Sequence, residues 1–388
     1  MRTVRLAWKG YLLLTVIPML GSSSVAATLY VGTCHSPSYS TISAAVAAAP
    51  PGSAIAVCPG TYQEQVFITQ PLTLQGIRSG NADRARIIVP ASITGGSPNW
   101  QFVPDPDFIN KIAPQIYVNS PTGPVNISNL TIDGSGEMGS PSSCPPTSSS
   151  EWETVAILYE NTSGSIKQVN TVGQGKNSSC GVGIRAYAAP PVIPTVTISN
   201  NSLQDATLYG MYLEAPMPGA SMTVSVTNNT MTVGSQNYGS AALYYDAVSG
   251  VISSNFISTP GHGVWDYGSS GVLTVSNNTI LSTNGAAGFG GVLGAGGLGG
   301  GTEAYTANKV VNYYVGLDIP PGPSTTKNNL VVNSYLGIEV GCNTVATISG
   351  NVVNNAQIGM DTVPTGFSAT GKISFFSADQ VQGSSTCP

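Results

Sequence analysis

Seven short phrases in this chain share one form: β-forming residues, then an asparagine, then an apolar residue. They run Ile198–Leu203 (ISNNSL), Val226–Met231 (VTNNTM), Ile252–Ile257 (ISSNFI), Val275–Ile280 (VSNNTI), Tyr305–Val310 (YTANKV), Thr326–Val331 (TKNNLV) and Ile348–Val353 (ISGNVV). The shared asparagines are Asn201, Asn229, Asn255, Asn278, Asn308, Asn329 and Asn351, at intervals of 28, 26, 23, 30, 21 and 22 residues. Recurrence near 25 residues marks a stacked repeat, in which each unit contacts only the units before and after it. The chain therefore reads as one coil wound many times.

Each unit has two halves. The first alternates apolar and polar residues up to the asparagine, as in Val272–Asn278, which is a strand signal. The second opens on a small residue and alternates again: Gly210–Glu214 (GMYLE), Gly263–Tyr267 (GVWDY), Gly316–Ile319 (GLDI), Gly337–Val340 (GIEV) and Gly359–Thr362 (GMDT). Less regular copies are Ala156–Glu160, Gly183–Tyr187 and Ala242–Asp246. A unit this short cannot bury its apolar side alone. Stacking at the ~4.8 Å strand spacing pairs its backbone above and below and aligns inward Val, Ile, Leu and Met into one core. The asparagines then fall one above another and can form an amide ladder.

The amino end differs. Arg2, Arg5 and Lys9 precede the apolar stretch Tyr11–Leu20 and the small residues Gly21–Ala27, the form of an export signal cut after Ala26 or Ala27. Residues 28–388 then make a single domain, with no later membrane insertion. Thr41–Ala49 reads as a short amphipathic helix covering the open first coil, stopped by Pro50-Pro51-Gly52. Strands are expected at Ala54–Val57, Gln65–Ile68, Leu72–Leu74, Ile87–Val89, Val125–Asp133 and near Gly291–Leu293. Loop excursions are expected near 90–114 and 134–150. Without the signal, 10 basic residues face 18 acidic ones, which argues against nucleic acid and anionic membranes. All six cysteines follow the signal, as disulfides in an exported (secreted or periplasmic) chain would. Six cysteines allow 15 pairings, from which Cys34–Cys58, Cys144–Cys180 and Cys342–Cys387 are chosen because each joins segments one or two coils apart. The lack of CxxC and the distant His35 and His262 argue against zinc.

The stretch Thr41–Ile77 (TISAAVAAAPPGSAIAVCPGTYQEQVFITQPLTLQGI) resembles the opening of pectin methylesterases: a short helix, a strand, G-x-Y-x-E-x-V and a strand ending in glycine. The later Asn-and-Gly units resemble the repeats of the pectin lyase-like superfamily, and together these cover most of the mature chain. The resemblance implies an all-β, right-handed parallel β-helix with an amino-terminal capping helix. It does not carry over a complete catalytic motif. Gln204–Tyr209 resembles the QDTLY of pectin methylesterases with an alanine inserted, but no DFIFG-like or LGRPW-type segment follows. Gly261-His262-Gly263 resembles the GHG of polygalacturonases, without their paired aspartates, NTD or R-x-K. Pro104–Asp107 resembles the DPxD of alginate epimerases, without the histidine.

In the second halves, alternation sends two columns outward. One holds Leu158, Arg185, Tyr212, Tyr244, Trp265, Asp318, Glu339 and Asp361; the other holds Glu160, Tyr187, Glu214, Asp246 and Tyr267. Tyr187, Tyr212, Tyr244, Trp265 and Tyr267 then form an exposed aromatic strip on which sugar rings can stack, with Arg185 beside it. Glu214, Asp246 and Asp266, with His262, are the candidate catalytic groups, since close carboxylates raise one another's pKa and glycoside cleavage uses two. Asp318, Glu339 and Asp361 offer hard oxygen ligands of the kind Ca²⁺ takes, or else a charge ladder against lateral association; no cofactor or metal is otherwise expected. The sequence thus points to a monomeric secreted or periplasmic protein that binds polysaccharide or surface glycan, and leaves open whether it also cleaves it as a glycoside hydrolase or lyase. The alternative is a non-catalytic structural or adhesive surface β-helix.

Overall fold

In the computed structural model every coil passes through three sheets in turn. Residues 26–388 are described, apart from 79–83, 91–99, 106–110, 137–151, 176–179, 234–238, 286–288, 295–300, 321, 341–343, 363–367, 371–372, 377–380 and 384–388. Among these residues the first sheet runs through 13 strands, from Thr28–Val31 to Ser368–Thr370; the second through 12, from Gly60–Gln63 to Ile373–Phe376; the third through 13, from Val66–Ile68 to Val381–Gly383, with one further strand off this path. Strands pair with the coil before and the coil after, parallel and in register. The result is a right-handed parallel β-helix.

The register turns the repeats into columns. Ile166, Ile198, Val226, Ile252 and Val275 pair in sequence along the first sheet. Ile157, Ile184, Met211, Leu243, Val264, Val292, Leu317 and Ile338 do so along the third. Both columns face inward and are fully or almost fully buried in one continuous core.

The asparagine ladder sits at the corner between the first and second sheets. Each Nδ2 donates to the next coil's Oδ1 at 2.9–3.0 Å, from Asn201 through to Asn351. The same Oδ1 accepts the backbone N–H of the previous ladder residue, and Nδ2 also reaches a carbonyl such as Ile198 O or Val226 O at 3.0 Å. Both donors and both acceptor directions of a buried amide are thereby used. The residue before each ladder asparagine turns the corner in the left-handed region: Asn200, Asn228, Asn277 and Asn328 have φ of 55–57°. Asparagine tolerates this conformation better than most residues, so the Asn-Asn pair has two separate causes. The ladder opens at Val169, whose N–H donates to Asn201 Oδ1 at 2.9 Å.

The capping helix covers Ile42–Ala48, with Thr41 as its N-cap. Its first N–H groups, from Ile42 and Ser43, donate to the Glu64 carboxylate at 2.8 and 2.9 Å. The Tyr62 hydroxyl donates to Cys58 O at 2.8 Å. Glu64 of the G-x-Y-x-E segment thus holds the first turn of the cap, and Gln70 Nε2 holds its last turn by donating to Val46 O and Ala49 O. Cys34 and Cys58 form the expected disulfide. Cys180 is disulfide-bonded as well; Cys144, Cys342 and Cys387, needed for the other two expected pairs, lie outside the described residues, as do residues 1–25 of the expected signal.

The amino-terminal segments hold more strand than expected. The excursion expected near 90–114 contains the strand Val103–Pro104, which pairs antiparallel with Lys111–Val118, and the latter strand starts inside the expected loop. Thr28–Val31 and Gly60–Gln63 are also strands that the repeat pattern did not reveal. Of the excursion near 134–150, only 134–136 are described. Among the described residues no helix is long and apolar enough to cross a membrane.

Candidate functional site

The third sheet's outer face is built by three columns. The central one runs Phe67, Tyr117, Leu158, Arg185, Tyr212, Tyr244, Trp265 and Leu293. Asp318, Glu339 and Asp361 follow at the same strand position. On one side lie Glu160, Tyr187, Glu214 and Asp246. On the other lie Val155, Val182, Tyr209, Ala241 and His262. Outward projection here follows from strand alternation, interrupted at small residues such as Ala156, Gly183, Gly210, Ala242 and Gly263, which face the core.

The aromatic strip exists, but it is narrower than expected. Tyr244 touches Tyr209, Tyr212, Trp265 and Tyr267, with ring centroids at 5.3, 4.9, 5.8 and 6.2 Å. Tyr267 is exposed, whereas Tyr244, Trp265 and Tyr209 are half-buried. Tyr187 and Tyr212 are buried, so they do not belong to an exposed strip. His262 also faces outward but is buried, packed against Trp265 and Phe289 with centroids at 5.0 Å each. Its Nδ1 accepts the N–H of Gly290 at 3.0 Å.

Arg185 departs furthest from its expected role. It is wholly buried, and its guanidinium is the centre of an ionic cluster. Nη1 and Nη2 grip the two oxygens of Asp105 at 3.1 and 3.0 Å, Nη1 meets Glu153 Oε1 at 3.2 Å, and Nε donates to Glu214 Oε1 at 2.7 Å. The guanidinium also lies 4.6 Å from the Tyr212 ring centroid. Burial alone would lower its pKa; Glu214, Glu153 and Asp105 outweigh that and hold it well above the usual value. Rather than projecting toward solvent, Arg185 neutralises carboxylates and pins the 103–105 segment to the sheet.

The three expected catalytic carboxylates separate. Glu214 and Asp246 are register partners on adjacent coils of the outer face. Glu214 is buried against Arg185, and Asp246 is half-buried beside Tyr244. Asp266 is a correction: it pairs with Tyr245, in the inward column that also holds Leu213, and is wholly buried inside the coil. There the Tyr305 hydroxyl meets both Asp266 and Glu303. Burial, with the charge of Glu303 second, pushes the Asp266 pKa well above the carboxylate range.

The later stripe is also acidic. Burial raises the Asp318 pKa strongly, with Glu339 next in effect, and burial followed by Asp361 raises that of Glu339. Among the described residues no group of three or more His, Cys, Asp or Glu is arranged to hold a metal ion.

Sequence reasoning missed Tyr209, Glu153 and Asp105. The first two lie amino-terminal to the small residue from which the columns were counted, and Glu153 belongs to a nine-residue strand, Trp152–Glu160. Asp105 carried a signal only as part of Pro104–Asp107.

No family model matches the sequence, and no curated protein sequence matches it. Solved structures do match. The GH136 lacto-N-biosidase from Eubacterium ramulus aligns with 92% of this chain and 68% of its own, at 11% identity and a TM-score of 0.51. Pectin methylesterase PemA from Erwinia chrysanthemi aligns with 74% of this chain and 79% of its own, at 14% identity and a TM-score of 0.38. PfbA, a surface adhesin of Streptococcus pneumoniae, aligns with 88% of this chain and 84% of its own, at 13% identity and a TM-score of 0.39. At these identities the likeness is one of fold. With its three in-register parallel sheets, the chain has a right-handed parallel β-helix fold.

Proposed function

We propose that the protein works outside the cytoplasm as a saccharide-binding β-helix, with its binding surface at Tyr244, Trp265 and Tyr267 on the outer face of the third sheet. The observation that carries this reading is the contact of these three partly open rings on consecutive coils, with Asp246 alongside. Aromatic faces take the apolar side of a sugar ring, and a neighbouring carboxylate accepts hydrogen bonds from its hydroxyls. The buried Arg185 cluster would hold the platform rigid. The Cys34–Cys58 disulfide fits an oxidising compartment.

Titration with neutral and acidic oligosaccharides tests the reading. Trp265→Ala and Tyr244→Ala are each expected to weaken binding about tenfold. Unchanged affinity in both variants rejects it.

Cleavage is a second reading, favoured by the placement of Glu214 and Asp246 on adjacent coils, a spacing of ~4.8 Å along the sheet. A retaining glycosidase holds its two carboxyl groups about 5–5.5 Å apart. Reducing-end release without an unsaturated sugar product, lost in Asp246→Asn, would make the protein a hydrolase. Binding without turnover would leave it an adhesive or structural lectin-like surface protein.

A further inference from the structure

The corner between the second and third sheets carries a separate constellation in the later coils. Tyr314 and Tyr335 stack with centroids 4.7 Å apart and planes 6° from parallel, and both are exposed, at 42% and 37%. Beside them Asn312, Asn333 and Asn355 turn the corner at φ 65°, 55° and 58° and present their amides to solvent. Asn333 Nδ2 donates to Asn312 Oδ1 at 3.1 Å, and Asn355 Nδ2 donates to Asn333 Oδ1 at 2.8 Å. A cavity of about 440 Å³ opens here, bounded by Tyr335, Asn333, Asn355 and Gln357 among others.

This outer ladder differs from the buried one in what it leaves over. The inner amides spend both donors on protein acceptors. The outer amides of Asn333 and Asn355 each spend one, which leaves each a second N–H at a residue that lines the cavity. The volume falls within the range of small-ligand sites. No residue lining the cavity carries a formal charge at neutral pH. A partner for this corner therefore has an apolar face for tyrosine, hydroxyls for amides and no need of a counter-ion.

We propose that the Tyr335–Asn333–Asn355 corner is a second binding subsite, for a neutral saccharide. A sugar ring packs on the tyrosine pair, and its hydroxyls bond to the spare amide groups and to Gln357. The subsite shares no residue with the Tyr244–Trp265–Tyr267 face.

Saturation-transfer NMR with cellohexaose, xylohexaose, maltohexaose and mannohexaose tests it in the Trp265→Ala background, where binding at the sheet face is weakened. At least one hexaose is expected to bind Trp265→Ala, and adding Tyr335→Ala is expected to weaken that binding about tenfold. Adding Asn355→Gly instead, which suits the positive φ and leaves the ring stack intact, is expected to weaken it as well. Failure of all four sugars to bind Trp265→Ala overturns the proposal. So does unchanged affinity on adding Asn355→Gly, which would leave the tyrosines a stabilising stack only. The face reading fails separately, if Trp265→Ala and Tyr244→Ala bind as the parent does.

Discussion

A ladder asparagine belongs to three coils at once. Asn255 accepts from the N–H and Nδ2 of Asn229 and donates to Asn278 Oδ1 and Val226 O. Asn255→Ala leaves those buried groups without partners, at a cost of about 3 kcal/mol. The urea midpoint is expected to fall accordingly. Asp266 acts in the opposite sense to a surface carboxylate. Its native pKa lies above the unfolded value near 3.8 because burial and Glu303 oppose its charge, while Tyr245 and Tyr305 hydrogen-bond it. Its contribution to stability is thus whole below about pH 4 and is lost as pH rises through the native pKa. Stability measured from about pH 4 to about pH 8 is expected to decline less in Asp266→Asn than in the parent. The inner amides were legible because their recurrence is strict. Asp266 was misplaced although alternation from an outward Trp265 already turns it inward; its closeness in sequence to Trp265 and Tyr267 concealed this. The Arg185 cluster was illegible because Asp105 lies 80 residues from Arg185 and belongs to no repeat.

The elements at the amino end depend on one another. Glu64 lies just past the strand Gly60–Gln63 and caps a helix that begins at Ile42, using the carboxylate as acceptor for two helix N–H groups. Negative charge at that terminus is further favoured by the helix dipole. Glu64→Ala is expected to cost about 1–2 kcal/mol, read as faster amide exchange in Ile42–Ala48 with little change in the middle coils. The helix itself was legible from its composition and the Pro-Pro-Gly stop. Its anchoring was not, because the motif that supplies Glu64 reads equally well as a strand. The strand Thr28–Val31 also escaped notice, since it is four residues long and stands outside the asparagine rhythm.

Across the whole molecule, the 13 strands of a sheet define 12 steps. At ~4.8 Å each these make a stack about 60 Å long. Small-angle scattering is expected to give the skewed distance distribution of a rod; a distribution symmetric about its maximum would contradict it. Contacts run almost entirely between neighbouring coils, so damage at one end should spread only as far as the next interfaces allow. The overall architecture was legible because every coil repeats the same instruction. The burial of Tyr187 and Tyr212 was not, because it depends on how the outer face is covered, which the repeat does not encode.

The spacing of the ladder also decides where the chain is free to change length. Asn201 to Gly210, Asn229 to Ala242 and Asn255 to Gly263 are 9, 13 and 8 residues. From those small residues to the next ladder asparagine the counts are 19, 13 and 15. Apart from register shifts within the strands Ser202–Ala206 and Ser269–Ser276, this variation falls in the two bends bordering the aromatic face, while the ladder bend stays constant. Insertions and deletions are thus steered to the rims of one surface, where they can recut its walls for a new ligand while the rest of the scaffold keeps its beat.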